Sequence, residues 1–292
     1  MARVDPAREF AHYHLPEGFQ GLELLTARFL DFEFLPHVHE GYVVALIESG
    51  AERFRYRGAE HVAPRGTLAI VNPDEVHTGR RAEDSGWSYR VFYPSSGLIR
   101  GLVEDMGGWS GGTPFFPEGV VDDPHLVQPL RALHRTLAAP STALERESRW
   151  LDVMGVLLQR HARGVRPRMP GSGGDAVTRV RDLLREQLDG QVSLARLASE
   201  SGLSTWHLNR MFRQRYGLPP HAYHLQLRLA RARLWLQSPM PIAEIAARLG
   251  FADQAHLSRL FKRMSGLSPA AYRRAARMPQ EPSRQDLPLP PA

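Results

Sequence analysis

The chain contains no cysteine among its 292 residues. This absence excludes disulfide bonds, thiolate nucleophiles, cysteine-ligated zinc fingers and thiol-based redox sensing. The sequence also lacks an apolar run long enough to cross a bilayer and the apolar segment of a secretory signal at its N-terminus. We therefore expect a cytoplasmic protein with no membrane partner. The hydrophobic fraction of 42% and the charged fraction of 23% are those of a soluble globular protein, and the length allows two domains with separate cores.

The net charge of +6 is concentrated in the C-terminal part of the chain. Residues 175–278 contain 17 basic and 7 acidic residues, a net charge of +10, so the rest of the chain carries −4. A basic block beside a mildly acidic one predicts that only the C-terminal part meets a polyanion. A basic surface that is merely solvated would have the same charge, so charge alone does not decide between the two.

Short apolar segments separated by turns dominate the first third of the sequence. In one of them Phe54 and Tyr56 alternate with arginines, as in a strand with one buried face. Ser49 and Gly50 are predicted to form a turn. Many short strands at this spacing favour a small barrel or sandwich. The predicted strands are Leu22–Phe29, Tyr42–Ile47, Glu52–Arg57, Thr67–Val71 and Trp87–Tyr93.

The pattern then changes to helical spacing. Leucines three and four residues apart predict one helix over His125–Leu137 and a second over Leu144–His161, and we expect this pair to form a dimer contact. Residues 164–174 are rich in glycine and proline, as flexible linkers are. The proline-rich residues 279–292 are predicted to be disordered. The predicted domains are therefore residues 1–163 and residues 175–278.

After the linker the sequence repeats itself at an offset of 48 to 49 residues. Leu194–Gly202 matches Ile242–Gly250, and His207–Arg213 matches His256–Lys262. Each copy has the pattern of a short helix, a turn that contains glycine, and a second helix. This order predicts two helix-turn-helix units.

Capping residues mark the helix starts in both copies. Ser193 and Ser204 stand at N-cap positions in the first copy, and Asp253 does so in the second, where Pro241 fits a first helical turn. The spacing turns one apolar face of each second helix toward a core and leaves an outer stripe. The outer stripes consist of Trp206, Asn209, Arg210 and Arg213 in the first copy, and of Ala255, Ser258, Arg259 and Lys262, with Gln254 beside them, in the second.

The residue types of these stripes suit the major groove of DNA. Arginine can bond guanine through two hydrogen bonds, asparagine or glutamine can bond adenine, and arginine or lysine can hold phosphates. Trp206 is expected to be exposed, and a thymine methyl group or a sugar could cover it. The alternative is a helical repeat protein with a solvated outer face, although two copies are fewer than a solenoid usually needs.

Two segments carry a family resemblance. Residues 204–212 and residues 250–269 resemble the signature of the AraC/XylS family of transcription regulators. The resemblance implies a long helix, Pro220–Leu236, between the two units, and recognition helices that enter successive major grooves about 34 Å apart. It assigns base contacts to Trp206, Asn209, Arg210, Gln254, Ser258 and Arg259; Thr205, Arg213 and Lys262 complete the predicted DNA-binding set.

The N-terminal part carries a second resemblance. Residues 36–39, with His37 and His39, and residues 66–77, which end in His77, are similar to the two cupin motifs found in sensor domains of this family. On a strand, His37 and His39 would project from the same face. In cupin enzymes such histidines bind a divalent metal ion together with a glutamate, but valines stand where that glutamate is expected. We therefore expect no metal and no cofactor, although three histidines could still hold an ion.

A ligand pocket in the mouth of the barrel is the preferred interpretation of these histidines. The alternative is a structural role at the surface. Glu75 among histidines would suit a cationic or hydroxyl-bearing effector. The predicted effector-binding residues are His37, His39, Tyr42, Asn72, Glu75, His77, Trp87 and Tyr89.

The sequence thus predicts an α+β protein, with a cupin-like β-barrel followed by helices and an all-α domain of two helix-turn-helix units joined by a long helix. The predicted function is sequence-specific regulation of transcription under the control of a small organic effector, without enzymatic activity. The expected partners are double-stranded promoter DNA, the effector, a second copy of the chain and, for an activator, RNA polymerase. Two alternatives stay open: a metal-dependent cupin enzyme with an accessory DNA-binding tail, and a constitutive DNA-binding protein whose barrel only dimerises.

Overall fold

The computed structural model describes residues 9–107, 113–165, 174–189 and 191–277. The predicted tail and residues 166–173 of the predicted linker lie outside the described residues. The chain divides into two compact units, one with residues up to Leu184 together with Val192–Ala222, and one with Arg185–Gln191 and the residues from Tyr223 on. The domain boundaries at residues 163 and 175 stay a prediction. Among the helices of the described ranges, none combines the length and the apolar composition that crossing a membrane requires.

The first unit is built on antiparallel strands. They pair in the order β1-β2-β8-β4-β6-β9, while β4 also pairs with β5 and β7, and β7 with β3. The long strand β4 therefore belongs to both layers of the cupin-like β-barrel. The strands are β1 Phe10–His14, β2 Leu22–Phe29, β3 Phe34–His37, β4 Val43–Tyr56, β5 Ala59–Pro64, β6 Leu68–Val71, β7 His77–Arg81, β8 Trp87–Pro94 and β9 Val120–Val121.

The predicted turn at Ser49 and Gly50 is wrong. Strand β4 continues through both residues, and the pairing with β8 shifts its register between Ile47 and Ser49. Gly50 has a φ of +64°, and a Cβ there would lie 1.9 Å from the carbonyl oxygen of Gly86. The glycine therefore serves a β-bulge, which bends one strand instead of ending it.

The core of the barrel follows from the two-residue period of its strands. On β8 the side chains of Trp87, Tyr89 and Val91 are buried together with Leu25 and Ala27 of β2. Of the alternating side chains, Thr26, Ser88 and Arg90 are only partly buried, whereas Leu24 and Phe92 are also buried. This pattern positions one row of each strand toward the interior, where a cavity lies.

Ten helices are described in the remaining ranges. The pair predicted from leucine spacing is confirmed to within one residue at each end, as α2 and α3. The helices are α1 Ser96–Asp105, α2 Pro124–Leu137, α3 Ala143–His161, α4 Gly174–Glu186, α5 Leu194–Ser201, α6 Thr205–Tyr216, α7 Pro220–Trp235, α8 Ile242–Arg248, α9 Gln254–Ser265 and α10 Pro269–Arg277.

The two helix-turn-helix units are α5–α6 and α8–α9. The side chains of Ser193, Ser204 and Asp253 accept backbone N–H bonds at the starts of α5, α6 and α9, so these predicted N-caps are confirmed. Pro241 stands at the N-cap position of α8 and not inside its first turn. Gly202 ends α5 in the left-handed conformation, with a φ of 70°. In the second unit, apolar residues of α7, α8 and α9 form the core that holds α9 in place.

Candidate functional site

A cavity of about 200 Å³ opens between the strands of the barrel. Four of the predicted effector-binding residues line it: His37, His39, His77 and Tyr89. They come from β3, the loop after it, β7 and β8, so the barrel brings together residues that are up to 52 positions apart. The lining also contains buried apolar residues of β4 and β6, as is usual for a small-molecule site.

The three histidines are neighbours in space. The ring centroids of His37 and His77 are 4.3 Å apart, and His39 lies 5.0 and 5.2 Å from them. Strand β3 ends at His37, so His39 reaches the cavity from the following loop and not from the shared strand face that the sequence suggested. One nitrogen from each ring lies within 4.8 Å of the others. The cluster could therefore hold a metal ion, and equally well a polar group of an organic ligand.

Hydrogen bonds orient two of these rings. The Nδ1 atoms of His37 and His77 face the carbonyl oxygens of Leu35 and Glu75, at 2.7 and 3.1 Å. These bonds favour a proton on Nδ1 and leave Nε2 as an acceptor. Burial lowers the pKa of His77 to about 4, assisted by the neighbouring histidines, and burial also lowers the pKa of His39. The rings of His39 and His77 are therefore neutral near pH 7.

Glu52 of β4 is a charged lining residue that sequence reasoning missed. Its side chain is buried, with 8% of the residue exposed. No described residue forms a hydrogen bond or an ion pair with its carboxyl group, and burial raises its pKa to about 8. The sequence did contain a signal, because Glu52 has the same strand parity as Phe54 and Tyr56, which were predicted to face inward.

Aromatic side chains complete the lining. Burial raises the pKa of the Tyr89 and Tyr93 hydroxyl groups, which therefore stay protonated and able to donate hydrogen bonds. Among the described residues that line the cavity there is no arginine or lysine. The aromatic residues that the sequence analysis did not select are Tyr13, Phe34, Phe54 and Tyr93.

The structure places the other four predicted effector residues outside this cavity. The Tyr42 hydroxyl donates to the carbonyl oxygen of Pro114, and Trp87 is part of the barrel core. The Asn72 amide donates to the Tyr56 hydroxyl at 2.8 Å, and that hydroxyl donates to Glu75. Tyr42, Asn72 and Glu75 are close to the histidines in sequence, but their side chains hold β4, the β6–β7 connection and the segment before β9 together.

The predicted DNA-binding residues of α9 lie on its outer face. Gln254, Arg259 and Lys262 are exposed, and Ser258 is partly exposed. Leu257 and Phe261 of the same helix are buried in the core of the second unit. The helix thus presents hydrogen-bonding and cationic groups together, as reading a major groove requires.

The predicted residues of α6 divide into two groups. Arg210 and Arg213 are exposed and Thr205 is half-buried. Trp206 and Asn209, which were expected on the outer surface, are buried, with 6% and 3% exposed. That expectation of exposure was wrong because helices α1 and α3 of the same unit pack against this face of α6.

Family profiles match both parts of the chain. The AraC-like ligand binding domain matches residues 19–154, and a helix-turn-helix domain matches residues 197–275. The first match contains the cavity-lining strands β3, β4, β6, β7 and β8, and the second contains α6 and α9. The protein is therefore a DNA-binding transcription regulator with a ligand-binding domain.

Curated relatives match over most of their length. YbfI of Bacillus subtilis, described as an uncharacterized HTH-type transcriptional regulator, is 27% identical over 76% of this chain and 81% of its own. The arabinose operon regulatory protein of Salmonella typhimurium is 27% identical over 82% of this chain and 86% of its own. The transcriptional activator RhaS of Salmonella schwarzengrund is 27% identical over 75% and 80%. The chain belongs to the AraC family of transcriptional regulators, with an N-terminal sensor domain. Because these relatives are regulators, the prediction that the chain is not an enzyme is confirmed.

Proposed function

We propose that a small effector binds in the barrel cavity and changes the affinity of the chain for a promoter. The observation that carries this proposal is the cavity itself. It lies in the ligand-binding domain, has a volume of about 200 Å³, and is lined by three histidines, Tyr89 and Glu52. A mostly apolar lining with a few convergent polar groups is the usual composition of a small-molecule site. Binding regulates the chain only if the effector has different affinities for two arrangements of it.

On the DNA side, we propose that α6 and α9 each read one major groove. The exposed stripe of Gln254, Arg259 and Lys262 on α9 supports this role, and its residue types match base edges and phosphates. In the first copy the same role falls to Thr205, Trp206, Asn209, Arg210 and Arg213. Two grooves on one face of the duplex lie about one helical turn apart.

The same proposal includes the partners and the domain limits. The sensor domain spans residues 1–163 and the DNA-binding domain residues 175–278. The chain acts in the cytoplasm, where promoter DNA is, as a homodimer through α2 and α3, and contacts RNA polymerase if it activates transcription. The leucine stripe of α2 is buried within the chain, so the dimer contact uses the polar outer face of this pair.

Selection of sequences from random DNA by the purified full-length protein tests the reading function. We expect enrichment of a site with two short blocks about one helical turn apart, and a footprint that covers both. Failure to enrich any sequence, with binding that responds only to salt, would contradict it. The sensing function is tested separately, by melting the protein with a set of metabolites. A compound that stabilises the native chain and not His77→Ala would support a site in the cavity.

A further inference from the structure

The cavity contains one carboxyl group that no protein group neutralises. Glu52 is buried, and no described residue forms a hydrogen bond or an ion pair with it. A Cβ added at Gly79 would lie 2.8 Å from its Oε1, so glycine leaves the space into which this carboxylate extends. A buried carboxyl without a partner has lost its water and gained nothing in return, and native proteins seldom retain such a group without a use.

Aromatic rings surround the same space. Tyr13, Phe34, Phe54, Tyr89 and Tyr93 all line the cavity. The faces of such rings attract cations through their quadrupole, and cages of aromatic residues are a common way to bind ammonium groups. No arginine or lysine is found among the described lining residues, so the described lining offers an anionic ligand no permanently positive group.

We infer that the effector is a small organic cation of the ammonium type, whose charge pairs with the Glu52 carboxylate and whose alkyl groups contact the aromatic rings. This inference rests on the proposed sensing function and specifies its ligand. The volume of about 200 Å³ limits the ligand to a small molecule. Because burial raises the pKa of Glu52 to about 8, this carboxyl is mostly protonated near pH 7 before a ligand binds. It ionises when a cation arrives, and the proton leaves to solvent.

The test compares choline with 3,3-dimethylbutan-1-ol, which has the same shape without the charge, together with alkylammonium ions from methylammonium to tetramethylammonium. Melting of the full-length chain is measured with each compound, and Kd is measured for those that stabilise it. We expect at least one ammonium compound to stabilise the native chain while the neutral alcohol does not. Glu52→Gln should weaken that binding at least tenfold, whereas Glu33→Gln, at an exposed glutamate one residue from Phe34, should not change it.

Each other outcome overturns the assignment. Equal stabilisation by choline and the alcohol would leave an effector site but remove its selectivity for cations. If none of the ammonium compounds stabilises the chain, the inference that the effector is a cation is refuted. Stabilisation by Zn²⁺ that persists in Glu52→Gln and is lost in His77→Ala would assign the cavity to a metal ion. The comparison of choline with the alcohol needs only the native chain, so it stands even if Glu52→Gln does not fold. Failure of the native chain to select any DNA sequence would be a separate result. It would refute the proposed regulatory function and would not bear on the choice of ligand.

An independent observation concerns the first recognition helix, α6. The two copies of the helix-turn-helix repeat differ in what covers their outer faces. Trp206 and Asn209 are buried, whereas the corresponding residues of α9, Ala255 and Ser258, are exposed and partly exposed. The spacing of the two helices is the same, so the difference comes from the elements that pack on α6.

One of these elements supplies an acidic cap. Asp105, the last residue of α1, accepts hydrogen bonds from the backbone N–H groups of Thr205 and Trp206, at 3.2 and 2.7 Å, and from the Thr205 hydroxyl at 2.5 Å. Ser204 donates to the Asp105 carbonyl oxygen at 2.9 Å. The N-terminus of a recognition helix is where a DNA phosphate binds. The carboxylate of Asp105 therefore occupies the anion-binding position at the start of α6, which a phosphate oxygen could otherwise use.

Helix α3 covers the base-reading side chains. The Asn209 amide donates to Asp152 at 2.8 Å, and Arg213 lies 4.0 Å from the same carboxylate. The Trp206 ring lies on Gly155, where an added Cβ would come within 2.2 Å of it. Trp206 Nε1 and Asn209 Oδ1 are buried without a hydrogen-bond partner among the described residues. The contact thus satisfies these reading groups only in part.

The geometry points to a closed state, in which Asp105, Asp152 and Gly155 of the ligand-binding part hold α6 away from DNA. The same atoms cannot bind these carboxylates and the duplex together, so DNA binding requires α6 to leave α1 and α3. Glu147 of α3 also accepts N–H bonds from the start of α5, at 2.6 and 3.2 Å. The whole first helix-turn-helix unit is therefore held by acidic residues of α1 and α3.

Gly155→Ala tests this inference without changing any charge. The added methyl group cannot coexist with the Trp206 ring in its present position, so it should shift the equilibrium toward the open state. With a duplex enriched from random DNA as the probe, we expect the variant and Asp105→Asn to bind at least fivefold more tightly than the native chain. Glu104→Gln is the matched control, because it removes one negative charge from an exposed neighbour of Asp105 and should leave the affinity nearly unchanged.

Hydrogen exchange of the Thr205 and Trp206 amides gives a second readout, since opening exposes both to water. Faster exchange in both variants than in Glu104→Gln supports the closed state. Equal DNA affinity and equal exchange in all four proteins would overturn it, and so would an increase in Glu104→Gln as large as that in Asp105→Asn. If Gly155→Ala does not fold, as its melting curve will show, Asp105→Asn and its control still decide the question.

Discussion

Glu48 holds helix α2 against the barrel. Replacing this residue tests how the contact between α2 and the barrel is stabilised. Arg131 of α2 bonds both of its carboxylate oxygens, with Nη2 at 2.6 Å and Nε at 2.9 and 3.0 Å. Arg90 of β8 donates to the same carboxylate at 2.9 Å. The three side chains are 21–26% exposed. This is a partly buried, bidentate network and not a surface ion pair.

We expect Glu48→Ala to lower the free energy of unfolding by about 2–3 kcal/mol. Removing one partner of a fully buried pair costs about 3–5 kcal/mol, because the remaining charge is left unpaired, and the partial exposure here allows water to solvate the two arginines. That loss corresponds to a decrease in Tm of about 4–12 °C. Arg131→Ala combined with Glu48→Ala should cost less than the sum of the two single changes.

The pH dependence has a definite sign. Burial alone would raise the pKa of Glu48, but the hydrogen bonds and charge of Arg131, and then of Arg90, outweigh it and lower the pKa. A lowered folded-state pKa gives stability that is complete above the unfolded-state pKa and is lost as the pH falls through the folded-state value. The difference in stability between the native chain and Glu48→Ala should therefore decrease in acid.

The assay is thermal and urea unfolding of the full-length proteins between about pH 3 and pH 7, a range that includes the ordinary pKa values of carboxyl groups. Glu60→Ala is the control, because Glu60 also lies between two arginines, Arg53 and Arg80, but at the surface. Its Tm should stay close to that of the native chain. A similar loss in both variants, or a Glu48→Ala effect that does not change with pH, would refute the reasoning.

Three further changes test other parts of the molecule. Asn72→Ala should cost about 2–4 kcal/mol in thermal unfolding, because Asn72 bonds both the N–H and the carbonyl of buried Phe116; a loss below about 0.5 kcal/mol would be inconsistent with that role. Arg259→Ala should weaken binding to the selected DNA by about 1–3 kcal/mol and relax the sequence preference at one position, whereas an equal loss on all sequences would indicate a phosphate contact. Tyr272→Ala should lower Tm before it changes DNA specificity, since the ring packs 5.5 Å from that of Phe261, and Tyr272→Phe should have little effect on either.

Features that depend on neighbouring residues could be predicted from the sequence at the level of single residues. The N-caps at Ser193, Ser204 and Asp253 were predictable because a cap is a bond between a side chain and the backbone two or three residues away. The strand periods and the leucine stripes of α2 and α3 were equally local. The turn predicted at Ser49 and Gly50 failed because glycine with positive φ serves turns and bulges alike, and only the partner strand decides between them.

The errors at the candidate site have a common cause. Helical spacing correctly separated the two faces of α6, but it contains no information about which element packs on a face, and so Trp206 and Asn209 were expected in solvent. In the barrel, Tyr42 and Trp87 were selected for their residue type near the histidines, yet the closure of the sheet directs them away from the cavity. Glu52 could have been found from its strand parity alone. A charged residue at an inward-facing strand position therefore indicates a cavity-lining residue as well as an aromatic one does.

The unlike outer faces of the two repeats also have a consequence for the promoter. If α6 reads DNA with Asn209 and Arg210 and α9 reads it with Ser258 and Arg259, as proposed, the chain cannot be turned end for end on its site without exchanging unlike contacts. The two blocks that it recognises must therefore differ in sequence. Such a site is asymmetric. Its sequence therefore fixes the orientation of the bound protein relative to the start of transcription. Reversing the site in place should alter the regulatory output even though the affinity for the site is unchanged.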